Sequence, residues 1–339
     1  MSLPKTTKAI LVQKTGGPEV LALGEVATPT PSADKVLVKV EWAGVNYVDT
    51  YKRAGVYTLP LPLVLGEECS GTIVALPTSE SVLNSEQYAL RNFHVGDRVA
   101  CTVSGSFAQY AAASWEKCWK LPVNVETKIG ALCVLQGLTA LTMIRETYTV
   151  KKGDYVLVHA AAGGVGLLLC QACSYLGAHV IGTVSTLAKA QLARENGAEH
   201  VIISKEQNVI QEVMKLTDGK GCHVILDGIG KDTWEDDFEM IRRKGTIVTY
   251  GNASGVVPPF APLKLAGKNI KVARPTLGNY IVTAEESAEY FSWLFELIDK
   301  GVLKFHVHDE YPFTADGVRK SQTDITSRGT TGKLVIKVE

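Results

Sequence analysis

Residues 154–166 constrain this chain more than any other stretch. They read Asp154-Tyr155-Val156-Leu157-Val158-His159-Ala160-Ala161-Ala162-Gly163-Gly164-Val165-Gly166, and an apolar helical segment, Leu167 to Tyr175, follows at once. An apolar strand that runs through a loop of tiny residues into a helix makes a cradle for phosphate. Small residues let the backbone approach a pyrophosphate, and the helix start offers unpaired N–H groups and partial positive charge. The usual spacing is G-x-G-x-x-G; here Ala161 takes the first position, and Gly163 and Gly166 keep the other two. The loop positions Ala162, Gly163, Gly164, Val165 and Gly166 are therefore the expected pyrophosphate contacts.

The rest of the chain must supply a framework for that loop. Its 339 residues are enough for two domains with cores of their own. Hydrophobic residues make up 46% and charged residues 21%, as in a globular protein. Thirty-five basic residues balance 35 acidic ones, which gives no support to nucleic acid or an anionic membrane as the main partner. No uninterrupted apolar run approaches the length of a membrane span. The opening Met1-Ser2-Leu3-Pro4-Lys5 lacks the apolar core of a secretory signal, so the cytosol is the expected location. Seven scattered cysteines do not form a disulfide framework. Cys170-Gln171-Ala172-Cys173 spells C-x-x-C but lies beyond the first turn of its helix among leucines, which reads as packing thiols.

Residues 8–120 read as short strands with turns, at 9–12, 35–41, 69–75 and 97–103, and suit an antiparallel, partly open barrel. Within them Pro77 to Arg91 is polar and aperiodic and reads as a surface excursion. A helical stretch over 126–148 leads out of this region. From Asp154 the pattern changes to alternating strands, at 154–160, 178–184, 200–203, 222–227, 245–251 and 270–274, with helices at 186–196, 206–217 and 232–242. Six strands in this rhythm predict a doubly wound parallel sheet with helices on both faces. A long helix over 284–300, a strand at 305–311, a helix from Thr314 and a strand at 333–338 then return to complete the first domain. The expected division is 1–134 with 275–339, and 135–274 for the dinucleotide-binding part.

The second strand of such a unit carries an acid at its end when the adenosine ribose is unphosphorylated. Here it ends Gly182-Thr183-Val184-Ser185-Thr186, with no Asp or Glu, and Lys189 follows in the next helix. Loss of the carboxylate and gain of a cation favour a 2′-phosphate, and hence NADP(H), although Lys189 also suits a plain exposed helix position. Gly182, Thr183, Ser185 and Ser204 complete the expected contacts at this end.

Several blocks together resemble the medium-chain dehydrogenase/reductase superfamily, and within it the zinc-free quinone oxidoreductases related to zeta-crystallin. They are Ala43-Gly44-Val45-Asn46-Tyr47-Val48-Asp49-Thr50-Tyr51, Leu65-Gly66-Glu67-Glu68-Cys69-Ser70-Gly71, Val95-Gly96-Asp97-Arg98-Val99, the glycine loop, Gly251-Asn252-Ala253-Ser254-Gly255, Arg274-Pro275, and Ser327-Arg328 with Gly332-Lys333. The resemblance implies a GroES-like partly open barrel as catalytic domain beside the Rossmann domain. Zinc members carry Cys and His where this chain has Asn46 and Glu67, so two preferred zinc ligands are gone. The structural zinc lobe needs four close cysteines, and only Cys101 and Cys118 lie near. No metal is expected. Without a Lewis acid, reduction of an electrophilic acceptor is the easier chemistry.

By family position, Asn46, Tyr51, Tyr57 and Thr139 fall near the nicotinamide. Asn46 would bond the cofactor or polarise the acceptor oxygen. Tyr51 and Tyr57 would stack on a flat acceptor or donate to it, with barrel packing as the alternative for Tyr57; Thr139 is equally readable as a helical threonine bonding its own backbone. Gly251, Asn252 and Arg274 would line the nicotinamide half and Arg328 the phosphates. Asp227 either borders the ligand crevice or caps a turn, and His306 and His308 read as surface residues. The resemblance thus implies an NADPH-dependent quinone reductase, with conjugated carbonyls as alternative acceptors, and a homodimer. A third implied role is NADPH-sensitive binding of AU-rich RNA or structural accumulation, which the zero net charge does not favour. Two departures stand out: the length of 77–91, and Ser204 where some relatives carry a larger group.

Overall fold

The computed structural model describes residues 3–30 and 32–339; the first two positions of the N-terminal stretch read above lie outside the described residues. In chain order come strands β1 (Thr6–Val12), β2 (Leu21–Ala27) and β3 (Lys35–Val45), helix α1 (Tyr47–Ala54), and strands β4 (Leu63–Val64) and β5 (Glu68–Ala75). Helices α2 (Glu80–Leu83) and α3 (Glu86–Arg91), strands β6 (Arg98–Thr102), β7 (Tyr110–Ser114) and β8 (Cys118–Lys120), and helix α4 (Thr127–Thr142) follow. The alternating region comprises β9 (Tyr155–Val158), α5 (Gly164–Tyr175), β10 (His179–Val184), α6 (Leu187–Glu195), β11 (His200–Ile203), α7 (Val209–Leu216), β12 (Cys222–Asp227), α8 (Trp234–Met240), β13 (Ile241–Thr249) and β14 (Lys271–Ala273). The tail is α9 (Ala284–Asp299), β15 (Val307–Pro312), α10 (Ala315–Thr326) and β16 (Lys333–Lys337).

Two compact units result. One holds the chain up to Leu135 with Ile281–Phe295 and Phe305–Glu339; the other holds Gln136–Tyr280 with Glu296–Lys304. The first therefore resumes at Ile281 rather than at 275, and 296–304 groups with the second unit.

In the first unit β3 is the organising strand. Eleven residues long, it pairs antiparallel with β5, β7 and β16, in a sheet ordered β15-β16-β3-β5-β6-β8. A smaller sheet, β2-β1-β4, is joined to it by backbone bonds from Ile10 to Phe107 and from Leu65 to Ile10. Alternating residues such as Val36, Val38 and Val40 are buried in one cluster with Ile10, Phe107, Leu334 and Ile336. One pairing departs from the antiparallel expectation, since β15 and β16 run parallel. Cys69, Cys101 and Cys118 sit side by side on β5, β6 and β8 as direct register partners, all fully buried.

Residues 77–91 are not the irregular excursion that their polarity suggested. They form α2 and α3, and Tyr88 and Arg91 are buried. The Ser85 hydroxyl caps α3 by accepting from the Tyr88 N–H, and Asn92 ends the helix in the left-handed region. The Tyr88 ring meets Trp115 edge-on at 5.4 Å. The Arg91 guanidinium lies 3.4 Å from the Trp119 ring centre and donates to Ala284 O at 3.1 Å. Two residues in a polar stretch thus anchor it, which periodicity cannot show.

The second unit carries six parallel strands ordered β11-β10-β9-β12-β13-β14. The order reverses between β9 and β12, and open α/β sheets place ligands at the carboxyl ends of such a pair. β13 begins at Ile241, earlier than expected, because Ile241 is buried and pairs with Cys222; Ile241 and Arg242 fall in the strand instead of the helix. Cys170 and Cys173 are both buried, and burial pushes the Cys170 thiol up to about 12, as packing thiols require. One helical stretch, Thr127–Thr147 (α4 with a following π turn), is long and apolar enough by length and composition to cross a membrane, although polar residues interrupt its apolar run. Buried inside the protein is 67% of its most apolar window.

The Arg91 anchor gives a direct test. Arg91→Ala removes a cation–π contact and a charged hydrogen bond, and is expected to cost roughly 2–4 kcal/mol, read as a lowered urea midpoint. Arg91→Lys should recover only part of it, because an ammonium cannot lie flat on Trp119.

Candidate active site

The glycine loop is built by packing constraints on both sides. The Ala161 N–H donates to Thr183 O at 3.0 Å, and the His159 N–H to Leu226 O at 3.1 Å, so β10 and β12 clamp the loop's entry. A Cβ on Gly166 would lie 2.3 Å from Ala160 O, and one on Gly182 2.8 Å from the Ala161 Cβ. Only glycine lets the helix and β10 close on the loop at those points. α5 then starts at Gly164 behind Gly163, with no acidic residue in its first turn. Gly163, Gly164 and Val165 stay partly exposed at that helix end while Ala162 and Gly166 are buried. Tiny side chains, open amides and an uncompensated helix dipole together fit a pyrophosphate.

At the end of β10 no carboxylate is present. Thr186 caps α6 by accepting from the Lys189 N–H at 3.3 Å. Lys189 is held below its ordinary value by burial and by the Lys205 cation, a neighbour that sequence spacing did not single out. The Ser204 hydroxyl donates to Val184 O at 3.1 Å, tying β11 to β10. At the ends of β13 and β14, Arg274 donates to Thr249 O at 2.7 Å and Gly251 O at 3.4 Å. The Asn252 amide, oriented to satisfy both neighbours, accepts from Arg274 at 3.0 Å and donates to Gly251 O at 2.9 Å. Arg274 thus fixes the shape of the loop after β13. Asp227 accepts from the N–H groups of Ile229 and Gly230, and acts as a turn cap. The backbone-bonded threonine of α4 is Thr142, whose hydroxyl donates to Leu138 O at 2.8 Å; Thr139, also in this unit, contributes its carbonyl at 3.2 Å.

In the first unit Asn46 belongs to a buried polar knot. Its amide nitrogen donates to Glu68 at 2.8 Å and to Gly44 O at 3.3 Å, and its oxygen accepts from the Lys333 ammonium at 2.6 Å. Lys333 also donates to Glu68 at 2.5 Å, and the other Glu68 oxygen accepts from the Leu135 N–H at 2.7 Å. Lys333 is 2% exposed and Glu68 wholly buried. Both Asn46 N–H donors are engaged, and what remains is acceptor capacity on Oδ1. Of the two roles expected for Asn46, polarising an acceptor oxygen is therefore the one its geometry does not serve. The knot's cation, Lys333, adjoins the candidate residue Asn46, and reading the sequence did not single it out.

Next to it, Asp49 accepts from the Asn46 N–H at 2.7 Å, while its Oδ1 is buried with no partner. Burial, and then the nearby Glu67, hold the Asp49 carboxyl well above the usual carboxylate range. Glu67 itself pairs with the Lys52 ammonium and accepts from Ser104 at 3.2 Å. Tyr47, Tyr51 and Tyr57 form an aromatic run, with Tyr51 edge-on to Tyr57 at 6.0 Å. Tyr57 is 42% exposed and lines a cavity of about 270 Å³ with Lys52, Thr58, Leu59 and Leu61. Arg328 is exposed after α10 in the left-handed region. His306 and His308, both exposed, share the Thr331 hydroxyl. Among the described residues no group of three or more His, Cys, Asp or Glu side chains, the neighbouring Cys69, Cys101 and Cys118 included, is arranged to hold a metal ion.

Comparison with known proteins agrees with this geometry. The family described as alcohol dehydrogenase GroES-like domain matches residues 32–123, and that described as zinc-binding dehydrogenase matches residues 164–297. A quinone oxidoreductase of Pseudomonas aeruginosa is 38% identical over 95% of this chain and 96% of its own length. A 2-haloacrylate reductase of a Burkholderia species is 36% identical over 90% and 91%. The Escherichia coli quinone oxidoreductase solved with NADPH superimposes with a TM-score of 0.91 at 34% identity, covering 98% of this chain and all of that one. The chain belongs to the quinone oxidoreductase family of the medium-chain dehydrogenase/reductase superfamily.

Two stability tests follow from the buried carboxylates. Lys333→Met strands Glu68 without its cation and should cost roughly 3–5 kcal/mol, most of it recovered by adding Glu68→Gln. Asp49 binds its proton more tightly folded than unfolded, so its contribution is complete at acid pH and is lost as pH rises above its unfolded value. Asp49→Asn should flatten that decline, so that the mutant gains on the parent between pH 5 and pH 8 in urea midpoints.

Proposed function

We propose that this chain is an NADPH-dependent reductase that delivers hydride to quinones without a metal. The observation that carries the reading is the cradle: a glycine-loop helix start next to a strand end that lacks an acid and offers Lys189. In this reading the amides of Ala162 to Gly166 hold the pyrophosphate. Gly182, Thr183, Ser185, Lys189 and Ser204 form the adenosine-phosphate end, Lys189 pairing with the 2′-phosphate. Gly251, Asn252, Arg274 and Thr139 line the nicotinamide half, and Arg328 serves the phosphates. The bound cofactor supplies the hydride, and the protein's part is proximity and orientation.

Asn46 accepts through Oδ1 and, fixed by Lys333 and Glu68, keeps its position to within a hydrogen bond's tolerance. Tyr51 and Tyr57 provide flat, partly exposed faces for a planar acceptor. The Burkholderia relative reduces a conjugated acid by its name, which favours α,β-unsaturated carbonyls as a second acceptor class. The partner is a small molecule, the location the cytosol, and the assembly a homodimer formed at the outer strands of the parallel sheet.

Purified protein should oxidise NADPH when given 1,2-naphthoquinone; no turnover with any quinone or enone removes the proposal. The ratio of kcat/KM values for quinones and small enones decides between acceptor classes. Lys189→Ala should raise KM for NADPH about tenfold, the equivalent of ~1.4 kcal/mol, and leave KM for NADH nearly unchanged.

A further inference from the structure

The second unit contains a buried imidazole that the reaction itself does not use. His159 directly follows β9 and precedes Ala160, which opens the glycine loop in the left-handed region with φ of 51°. Its side chain is 3% exposed. Nε2 lies 2.9 Å from Asp237 Oδ1 on α8, and Nδ1 lies 2.9 Å from the Thr183 hydroxyl on β10. Thr183 is also the residue whose carbonyl receives the Ala161 N–H. One ring therefore links the end of β9, the end of β10 and α8 immediately beneath the loop. The second carboxylate oxygen of Asp237 is buried with no partner, so Asp237 depends on the imidazole alone.

We propose that His159, held by Asp237, is a positioning residue for the phosphate loop, and that its charge sets the direction of the Thr183 hydroxyl. The proposal rests on reading that loop as the dinucleotide cradle. When the imidazole is protonated, both ring nitrogens donate, and the Thr183 oxygen accepts while its own proton points away. When the imidazole is neutral and keeps its Nε2 proton on Asp237, Nδ1 becomes an acceptor, and the Thr183 hydroxyl must turn to donate to it. The hydroxyl at the end of β10 thus reverses with the charge of a ring that is almost wholly buried.

Every charged group facing the ring favours the protonated form. Burial opposes the His159 charge, but Asp237, then Asp227 at the end of β12 and Asp236 on α8, hold it above its ordinary value. Asp237 is itself pushed up to about 6 by burial, with His159 opposing and Asp227 and Asp236 adding. Cys222, at the start of β12, faces Asp237 as a neutral thiol pushed up to about 12. A histidine whose folded-state value is raised keeps its charged pairing below that value and loses it as pH rises through it. Loop order and NADPH affinity should fall together on the alkaline side.

The test uses the whole protein with two readouts. Hydrogen exchange of the 159–166 segment in the cofactor-free protein reports loop order, and calorimetry with NADPH between pH 7 and pH 9 reports affinity. In the parent, both protection and affinity should decline with pH. His159→Gln keeps polar contacts but cannot charge; it should show about tenfold less protection and about tenfold weaker binding, each flat with pH. Asp237→Asn keeps an acceptor for Nε2 but removes the carboxylate, and should move the parent's transition toward lower pH. Should His159→Gln fail to fold, the shift in Asp237→Asn decides. A folded His159→Gln with parental protection and parental pH slope overturns the proposal, as does an unshifted Asp237→Asn. A parent that never binds NADPH removes the functional reading alone, because exchange of the unliganded loop still judges His159.

Discussion

The first unit depends on one buried ion pair, Lys333 with Glu68. Lys333 comes from the last strand of the chain and Glu68 from β5, 265 positions apart in the sequence. Their contact, completed by Asn46 at the start of α1 and by the Leu135 N–H within α4, joins four elements at one point. Taking two charges out of water costs several kcal/mol each, and the pair repays this only if the remaining lone pairs are also satisfied. Here Glu68 accepts at both oxygens, and two of the three Lys333 ammonium protons have acceptors. The consequence is specificity of closure. The C-terminal strand cannot slip along β3 without moving a buried ammonium away from a buried carboxylate. The Asn46 amide, tied to both, is fixed by the same constraint, so the chain's return and the geometry of its candidate site are one problem.

Much of this was legible in the sequence, for identifiable reasons. Strand, glycine loop and helix at 154–175 are adjacent in sequence and obey local steric rules, and the six strands of the parallel sheet announce themselves by short β-branched runs. What failed to read was long-range. Tyr88 and Arg91 lie in a polar stretch whose burial depends on Trp115, Trp119 and Ala284, none of them local. The start of β13 at Ile241 was masked by two arginines that suit a helix end as well as an edge of a strand. Lys333 looks like any strand lysine until β3 and β5 are placed beside it. His159 and Asp237 are 78 residues apart, and no spacing rule couples them. Family resemblance supplied candidate residues, yet it did not foresee that both Asn46 donors are already engaged.

By the family resemblance Asn46 and Glu67 stand where zinc dehydrogenases carry ligands, and in this chain each is held by other side chains. Asn46 is buried, whereas the Glu67 side chain is 18% exposed. Asn46 is absorbed by the Lys333–Glu68 pair, and Glu67 by Lys52 and Ser104. Each polar group has a partner of its own, and the buried Asn46 amide escapes the cost of an unsatisfied buried atom.

Asp49 and Asp237 make the wider electrostatic point. Both are fully buried, and each has one carboxylate oxygen without a partner. Asp49 sees two acids, Glu67 and Glu68, and is stabilised by a backbone N–H and by the field of Lys333, which together do not offset its burial. Asp237 contacts an imidazole directly, and the proton it would otherwise need is held on His159. The same residue type, at the same depth, thus handles its charge in two ways, and the adjoining partner decides which. Both arrangements nevertheless bind protons more tightly in the folded state than an unfolded chain does. Linkage then fixes the sign: in each unit, independently, these groups favour folding at lower pH, and alkaline conditions withdraw that contribution.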